Sequence, residues 1–425
     1  MSTITNMEHS DKRLTFFWEI VPGSQCNLRC KNCYAADGGR PDRRALTLNE
    51  AKNALEKAVS LGLAKLDILG GEPLTCSYLP DFVRHFKARA KHGFCGVVSN
   101  GTLLDFELAQ KLASAGLDQI SISLDGSCSE TNDAHRGNGV FERATVGIRN
   151  AIRAKLPVTI AFTVTQFNLQ ETHDMLFAAK RLGASSVGIQ IAEPTGRGRY
   201  SLARAGQFSR IEGLKAICQM YHVRAPLYTE MSSRYLFQEF LNKFFNAGLK
   251  ISAGICDGGL KAYMVSSGGD LFPCAEYAYF PDGRARGKGA NLVSWDTGSL
   301  VSYVQDTGYK FNIEMVEKAG MTFESCRRCA HKQECIPCPL QNLSSTIKEC
   351  EWVKDAEREL TDRILSSIMA LLIEPEAIDS RSLRFGVRTQ EVPLCVPMGK
   401  EDFMDIILSR SVIRDDRESW RGLYN

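Results

Sequence analysis

The sequence predicts an α/β fold, a partial (βα)6 TIM-like barrel followed by a cysteine-rich C-terminal domain and a helical tail. Three observations carry that expectation. Strand-like and helical stretches alternate through the first half of the 425 residues, and such alternation implies parallel strands joined by right-handed crossovers. The runs of residues able to do chemistry fall at the C-terminal ends of those strands, where ligands gather in barrels. Beyond that region the alternation stops, and glycine and cysteine become frequent from Gly254 onward.

The elements follow in order. Residues 1–13 are a polar tail without an apolar signal-type core. Residues 14–21, rich in aromatic and β-branched side chains, read as a buried strand. Cys26, Cys30 and Cys33 lie on the loop after it. Further strands are expected at 65–69, 94–98, 119–124, 157–164 and 187–191. Apolar residues at helical spacing mark helices at 48–61, 79–91, 106–115, 142–154 and 170–182. Six such units make an open barrel rather than a closed eightfold one. The expected division is a tail at 1–13, a barrel at 14–206, a helical bridge at 207–250, a cysteine-rich domain at 251–355 and a helical extension at 356–425. A helix at about 352–372 and a short amphipathic stretch near 403–408 lie towards the end.

Composition narrows the function. A formal net charge of +3 is too mild to indicate nucleic acid, and no basic run with interleaved aromatics is present. No stretch has the length and apolarity of a membrane span, so a cytoplasmic protein without nucleic-acid or membrane partners is expected. Fifteen cysteines in a long chain with no visible export signal fit reduced, metal-binding thiols better than a disulfide scaffold.

Cys26-x3-Cys30-x2-Cys33, followed by Tyr34, is the strongest motif. Structural zinc sites favour paired C-x2-4-C knuckles closing on four ligands, whereas an electron-transfer iron–sulfur cube is closed by four thiolates. Three thiols on one short loop leave a four-iron cluster one ligand short, with an iron open to substrate or cofactor. Gly70-Gly71-Glu72-Pro73 ends the second strand, where glycines allow close backbone approach and a carboxylate can hold an ammonium group. Ser99-Asn100-Gly101-Thr102 follows the third strand. Ser121, Ser123, Asp125 and Gly126 mark the fourth, where serines in a strand buried on both faces require partners. Glu193-Pro194-Thr195-Gly196-Arg197-Gly198 closes the sixth with residues that expose backbone to a flat ring or substrate edge.

The cysteine spacing and the motifs after it resemble the radical S-adenosylmethionine (SAM) enzymes. That resemblance implies a 4Fe–4S cluster on Cys26, Cys30 and Cys33, with SAM as the fourth ligand and reductive cleavage to a 5'-deoxyadenosyl radical. Gly70, Gly71 and Glu72 then resemble the motif that binds the amino group of SAM. Ser123 and Asp125 are assigned to its ribose and neighbouring polar atoms. Arg136, in Asn132-Asp133-Ala134-His135-Arg136, is assigned to its carboxylate. Tyr34 and Asn100 join the cofactor-binding set.

Later cysteines resemble the SPASM domain, an extension that holds two auxiliary 4Fe–4S clusters. By that resemblance Cys326, Cys329, Cys335 and Cys350 close one cluster, and Cys256, Cys274 and Cys338 serve the other. The fullest form of the family has a further cysteine where this chain has Lys250, so the second auxiliary cluster is expected to have an open iron or a remote ligand. Ala275 stands where the sulfatase-maturing branch has an aspartate base, which argues against formylglycine formation. Cys76, Cys95, Cys128, Cys218 and Cys395 remain. Buried free cysteines usually act as small hydrophobes, and Cys128, just after Asp125-Gly126, is the candidate catalytic hydrogen or proton donor.

The expected function is radical modification of a peptide, such as a cross-link or thioether in a ribosomally made precursor. A second reading is oxidation or side-chain trimming of a small molecule such as a tetrapyrrole, and a third is a non-catalytic iron–sulfur electron carrier. The tail of 13 residues is expected to leave no room for the leader-binding module of many peptide maturases. A flavodoxin- or ferredoxin-type protein is the expected electron donor.

Overall fold

The computed structural model describes residues 13–35, 44–165, 167–168, 171–191, 196–198, 228–231, 258–259, 261–274 and 290–307. Its first strand, β1 (Leu14–Val21), has the bounds the sequence predicts. Then come α1 (Leu48–Ser60), β2 (Leu63–Gly70), α2 (Leu79–Arg89), β3 (Phe94–Ser99), α3 (Phe106–Ser114) and β4 (Gln119–Ser123). The fourth crossover carries two helices, α4 (Ser129–Arg136) and α5 (Val140–Arg153), before β5 (Val158–Val164), α6 (Thr172–Leu182) and β6 (Ser186–Ile191). Four further strands, β7 (Tyr228–Met231), β8 (Ala262–Val265), β9 (Asp270–Phe272) and β10 (Ala290–Asn291), precede α7 (Thr297–Ser302). All belong to one sheet in the order β10-β9-β8-β1-β2-β3-β4-β5-β6-β7. From β8 to β7 every neighbour is parallel, while β9 and β10 pair antiparallel.

Two of these strands change the expected layout. Tyr228–Met231 lies in the stretch expected to be helical, yet it pairs in parallel with β6. Tyr228 and Thr229 favour extended backbone, and the free edge of β6 supplies partners that a local pattern does not show. Residues 262–265, expected in the C-terminal domain, pair in parallel with β1 on its other side. Lys57 on α1 reinforces that side through Nζ, which donates to the carbonyls of Val293 (3.1 Å) and Trp295 (2.7 Å). Apart from 228–231, the stretch 207–250 expected to be helical lies outside the described residues, as do the expected helices at 352–372 and near 403–408.

The sheet has an apolar face and a polar one. Phe16, Trp18, Leu66, Ile68, Val97, Ile120, Ile122 and Ile160 are at most 1% exposed, and Trp18 meets Phe82 of α2 edge-on at 5.3 Å. This is the helix-covered core, where the period-2 pattern of each strand places its apolar set. The opposite face carries Lys65 and Asp67, paired at 3.3 Å, and a chain of hydrogen bonds from Gln119 to Thr159 and from Thr159 to Ser186 across three strands. Ser121 and Ser123 are half-buried on that face while Ile120 and Ile122 are fully covered. The fourth strand is therefore not buried on both faces as the sequence suggested, and its serine hydroxyls escape the desolvation penalty.

Local caps agree with the pattern. Thr47 starts α1 with a reciprocal box: its hydroxyl accepts from Glu50 N–H, and Glu50 accepts from Thr47 N–H at 2.8 Å. Arg44 adds a two-pronged pair to Glu50. Thr47→Ala is expected to destabilise the first turn by about 1 kcal/mol. The check is amide exchange, with the Glu50 amide exchanging about fivefold faster and the core strands unchanged.

Candidate functional site

Cys26, Cys30 and Cys33 are free thiols, half-buried on the loop that leaves β1. Three neighbouring segments hold that loop. From the β2 and β3 side, Glu72 N–H donates to Gln25 O at 2.9 Å, Asn100 Nδ2 donates to Asn27 Oδ1 at 2.9 Å, and Asn27 Nδ2 donates to Thr102 Oγ1 at 2.8 Å. From α4, His135 O accepts from Lys31 N–H at 2.9 Å, Arg136 O lies 3.9 Å from Cys30 Sγ, and Asn32 Nδ2 meets His135 Nδ1 at 3.2 Å. From the exit of β6, Arg197 N–H donates to Cys33 O at 3.0 Å and its Nε to Cys30 O at 2.8 Å. Burial pushes the Cys30 thiol up to about 11, with the Arg136 charge opposing. Burial also raises Cys26, so binding as thiolates requires a ligand that displaces their protons.

The turn after β2 is built around Glu72, which is 1% exposed. One carboxylate oxygen accepts from Leu74 N–H (3.0 Å) and the Ser99 hydroxyl (2.6 Å), and the other accepts from Asn100 N–H (2.8 Å). Burial raises its pKa, and these three donors with the Arg136 charge pull it back. Glycine is required just before it. Gly70 has φ +148°, and a Cβ on Gly71 would stand 2.6 Å from Pro22 O and closer still to Gln25 O. The Gly-Gly-Glu turn and the cysteine loop thus touch backbone to backbone.

The exit of β4 forms a second buried node. Asp125 Oδ1 accepts from Thr163 N–H at 3.0 Å, and its Oδ2 lies 2.8 Å from Arg136 Nε. Both side chains are largely buried, at 7% and 12% exposure. Burial lowers the pKa of Arg136, but Asp125 and the nearby thiols outweigh it and hold the guanidinium charged. Asn132 Oδ1 accepts from Asp125 N–H, and Asn168 Nδ2 donates to the carbonyls of Asp125 and Thr163. Glu171 accepts from Ser127 N–H, the Ser127 hydroxyl and the Thr131 hydroxyl, tying the start of α4 to the segment after β5. Burial lowers the pKa of His135, so its Nδ1 is free to accept from Asn32.

The structure brings Cys26, Cys30, Cys33, Gly70, Gly71, Glu72, Asn100, Asp125 and Arg136 to one end of the parallel strands. Ser123 lies half-buried on the polar face, and Tyr34 beside Cys33 is 45% exposed. Cys128 is exposed at the start of α4, 3.7 Å from Thr131 Oγ1. Cys274 is half-buried just beyond β9. Cys256, Cys326, Cys329, Cys335, Cys338 and Cys350 lie outside the described residues, as do Glu193 to Thr195, Lys250, Ala275, Cys218 and Cys395. Cys76 and Cys95 are buried, as free core cysteines usually are.

Sequence reasoning missed Asn27, Asn32, Ser99, Asn168, Glu171 and Arg197 as loop-holding residues. It also missed that Asn132 and Arg136 sit on a helix. The sequence 129–136 has almost no apolar residues, so α4 carries no periodic signal and its ties are tertiary. Asn27 and Asn32, polar amides between the cysteines, were the available clue.

The donor set fits an iron–sulfur cluster. Among the described residues no three His, Cys, Asp or Glu side chains converge on a single ion, and a cluster needs no such convergence because each thiolate binds a different iron. Comparison with known proteins agrees with this chemistry. A family described as the radical SAM superfamily matches residues 20–179. An AdoMet-dependent heme synthase of Methanosarcina barkeri is 30% identical over 348 residues, 77% of this chain and 92% of that protein. The mycofactocin maturase MftC of Mycobacterium tuberculosis is 25% identical over 335 residues, 76% and 78% of the two chains. In fold, the chain is similar to Streptococcus suis SuiB bound to precursor peptide SuiA, with TM-score 0.59 and 16% identity over 79% of this chain and 74% of that one.

Proposed function

The chain belongs to the radical SAM superfamily of enzymes, and from that premise we propose that Cys26, Cys30 and Cys33 hold its 4Fe–4S cluster and that its substrate meets the polar face of the barrel sheet. Cluster and SAM together supply one-electron reductive cleavage, which gives a 5'-deoxyadenosyl radical able to take hydrogen from an unactivated carbon. The observation that carries the assignment is the loop of three free thiols held from three sides by Glu72 and Asn100, by α4 and by Arg197. Gly70, Gly71 and Glu72 serve the amino end of SAM, Arg136 its carboxylate, and Ser123 and Asp125 its ribose side, with Tyr34 and Asn100 at the rim. The polar face orients the substrate, and Cys128 is the candidate hydrogen or proton donor at its edge.

The same proposal extends to the C-terminal region. Cys326, Cys329, Cys335 and Cys350 hold one auxiliary cluster and Cys256, Cys274 and Cys338 a second, within a SPASM domain at 251–355 flanked by the bridge at 207–250 and the extension at 356–425. A flavodoxin- or ferredoxin-type protein delivers the electron.

For the substrate, similarity over nearly the whole length of a heme synthase favours a carboxylate-bearing tetrapyrrole. Ser121 and Ser123 on the polar face supply hydroxyl donors of the kind carboxylates accept. The peptide reading is supported by the long match to a mycofactocin maturase. Anaerobic turnover with SAM, dithionite and Fe-coproporphyrin III is expected to yield 5'-deoxyadenosine together with a mass change in the tetrapyrrole. An unchanged tetrapyrrole, with a mass change instead in a short peptide encoded beside the gene, would reverse the order of the two substrates.

A further inference from the structure

We propose that Arg197 is a positioning residue for the cysteine loop, closing the ring of loops at the mouth of the barrel and holding a fixed positive charge beside it. The inference rests on reading that loop as a cluster site. Arg197 follows β6, 167 residues from Cys30, and takes the carbonyls of two of the three cysteines: its backbone N–H reaches Cys33 O and its side-chain Nε reaches Cys30 O. The sequence suggested that the segment around it exposes backbone to a flat ligand. Within it, both of these donors of Arg197 turn onto the loop, and Glu193 to Thr195 lie outside the described residues.

Two physical effects follow. A peptide carbonyl fixed by a donor also fixes the orientation of its residue, so Arg197 sets the side to which Cys30 and Cys33 present their thiols. The second effect is electrostatic. A cluster with three thiolates is anionic, and the carbonyls of His135 and Arg136 at the end of α4 face the same loop with the negative end of the helix. Asp125 neutralises Arg136 locally, and Glu72 adds a further buried carboxylate nearby. A guanidinium on Cys30 O opposes these fields and favours the reduced, more negative cluster. The hold on Cys33 O comes from the backbone N–H of residue 197, whereas the hold on Cys30 O comes from the side chain, whose Nε carries both the donor and the charge.

The test uses the full-length holoprotein with R197K, R197Q and R197A. Iron release to a chelator reports the hold on the loop, and the midpoint potential of the electron-paramagnetic signal that changes on adding SAM reports the charge. R197Q is expected to lose the SAM-sensitive cluster about tenfold faster and to shift its potential to more negative values. R197K is expected to keep the potential near wild type while still releasing iron faster, because its ammonium keeps the charge but lacks the Nε–H that holds Cys30 O. Wild-type release and potential in R197Q overturn the proposal, and a potential as negative in R197K as in R197Q overturns its electrostatic half. R197A adds the full truncation, and should it fail to fold, the lysine and glutamine variants decide. Absence of any SAM-sensitive iron signal in the wild-type protein overturns the cluster reading itself, separately from the role of Arg197.

Discussion

Cys30→Ala is expected to abolish SAM-dependent formation of 5'-deoxyadenosine, while Cys329→Ala retains at least part of it. Cys30 is the central thiol of the loop: Arg136 O stands over its sulfur and Arg197 holds its carbonyl. Removing that sulfur would leave two thiolates for the proposed four-iron cube, which already relies on an exchangeable fourth ligand, so the cluster would have no stable means of attachment. Cys329 belongs to the proposed auxiliary set, which handles electrons after hydrogen abstraction. Iron analysis and chromatography of the nucleoside product check both variants. Iron is expected near about twelve atoms per wild-type chain, from three cubes, and lower by about four in Cys30→Ala. Equal loss of cleavage in the two variants, with the fold intact, contradicts this division of labour.

Asp125→Asn is expected to destabilise the barrel by about 3–5 kcal/mol, because it leaves the guanidinium of Arg136 buried without its counter-charge. The asparagine keeps one useful contact, since its carbonyl oxygen can still accept from Thr163 N–H. The loss therefore reads on the ion pair rather than on the turn. Adding Arg136→Met removes the stranded charge, and the double variant is expected to recover most of the urea midpoint while remaining poor in SAM binding. A double variant no more stable than Asp125→Asn would assign the loss to local distortion at the exit of β4.

Much of the barrel was legible because burial leaves a periodic trace. Leu14, Phe16 and Trp18 alternate toward the core from the first residue of β1, and its last four residues, Trp18 to Val21, are all buried. The polar α4 left no such trace. Its ties are tertiary: Glu171, beyond β5, accepts from Ser127 just before the helix and from the Thr131 hydroxyl within it. Likewise β7 and β8 are only four residues each, too short for a local pattern to announce, and they pair with the parallel edges of β6 and of β1.

The candidate site divides in the same way. Cysteine spacing named Cys26, Cys30 and Cys33, and the Gly70-Gly71-Glu72 turn declared itself through two glycines and a carboxylate. The partners of these groups did not show. Glu72 was expected to face a ligand ammonium, and in the fold its oxygens also gather Leu74, Ser99 and Asn100. Arg136 was expected at a carboxylate of SAM, and it also pairs with Asp125.

By itself, then, the sequence determined the order of β1 to β6 and of most helices between them, and it marked the three thiols after β1, because burial period and residue spacing are properties of a few neighbouring residues. Tertiary structure alone decided that Asn168 seals the turn at Asp125 across 43 residues and that Arg197 clasps the cysteine loop across 167. The reason is that a polar group's partner depends on which loops the parallel sheet brings to the same end, and no local pattern records that meeting.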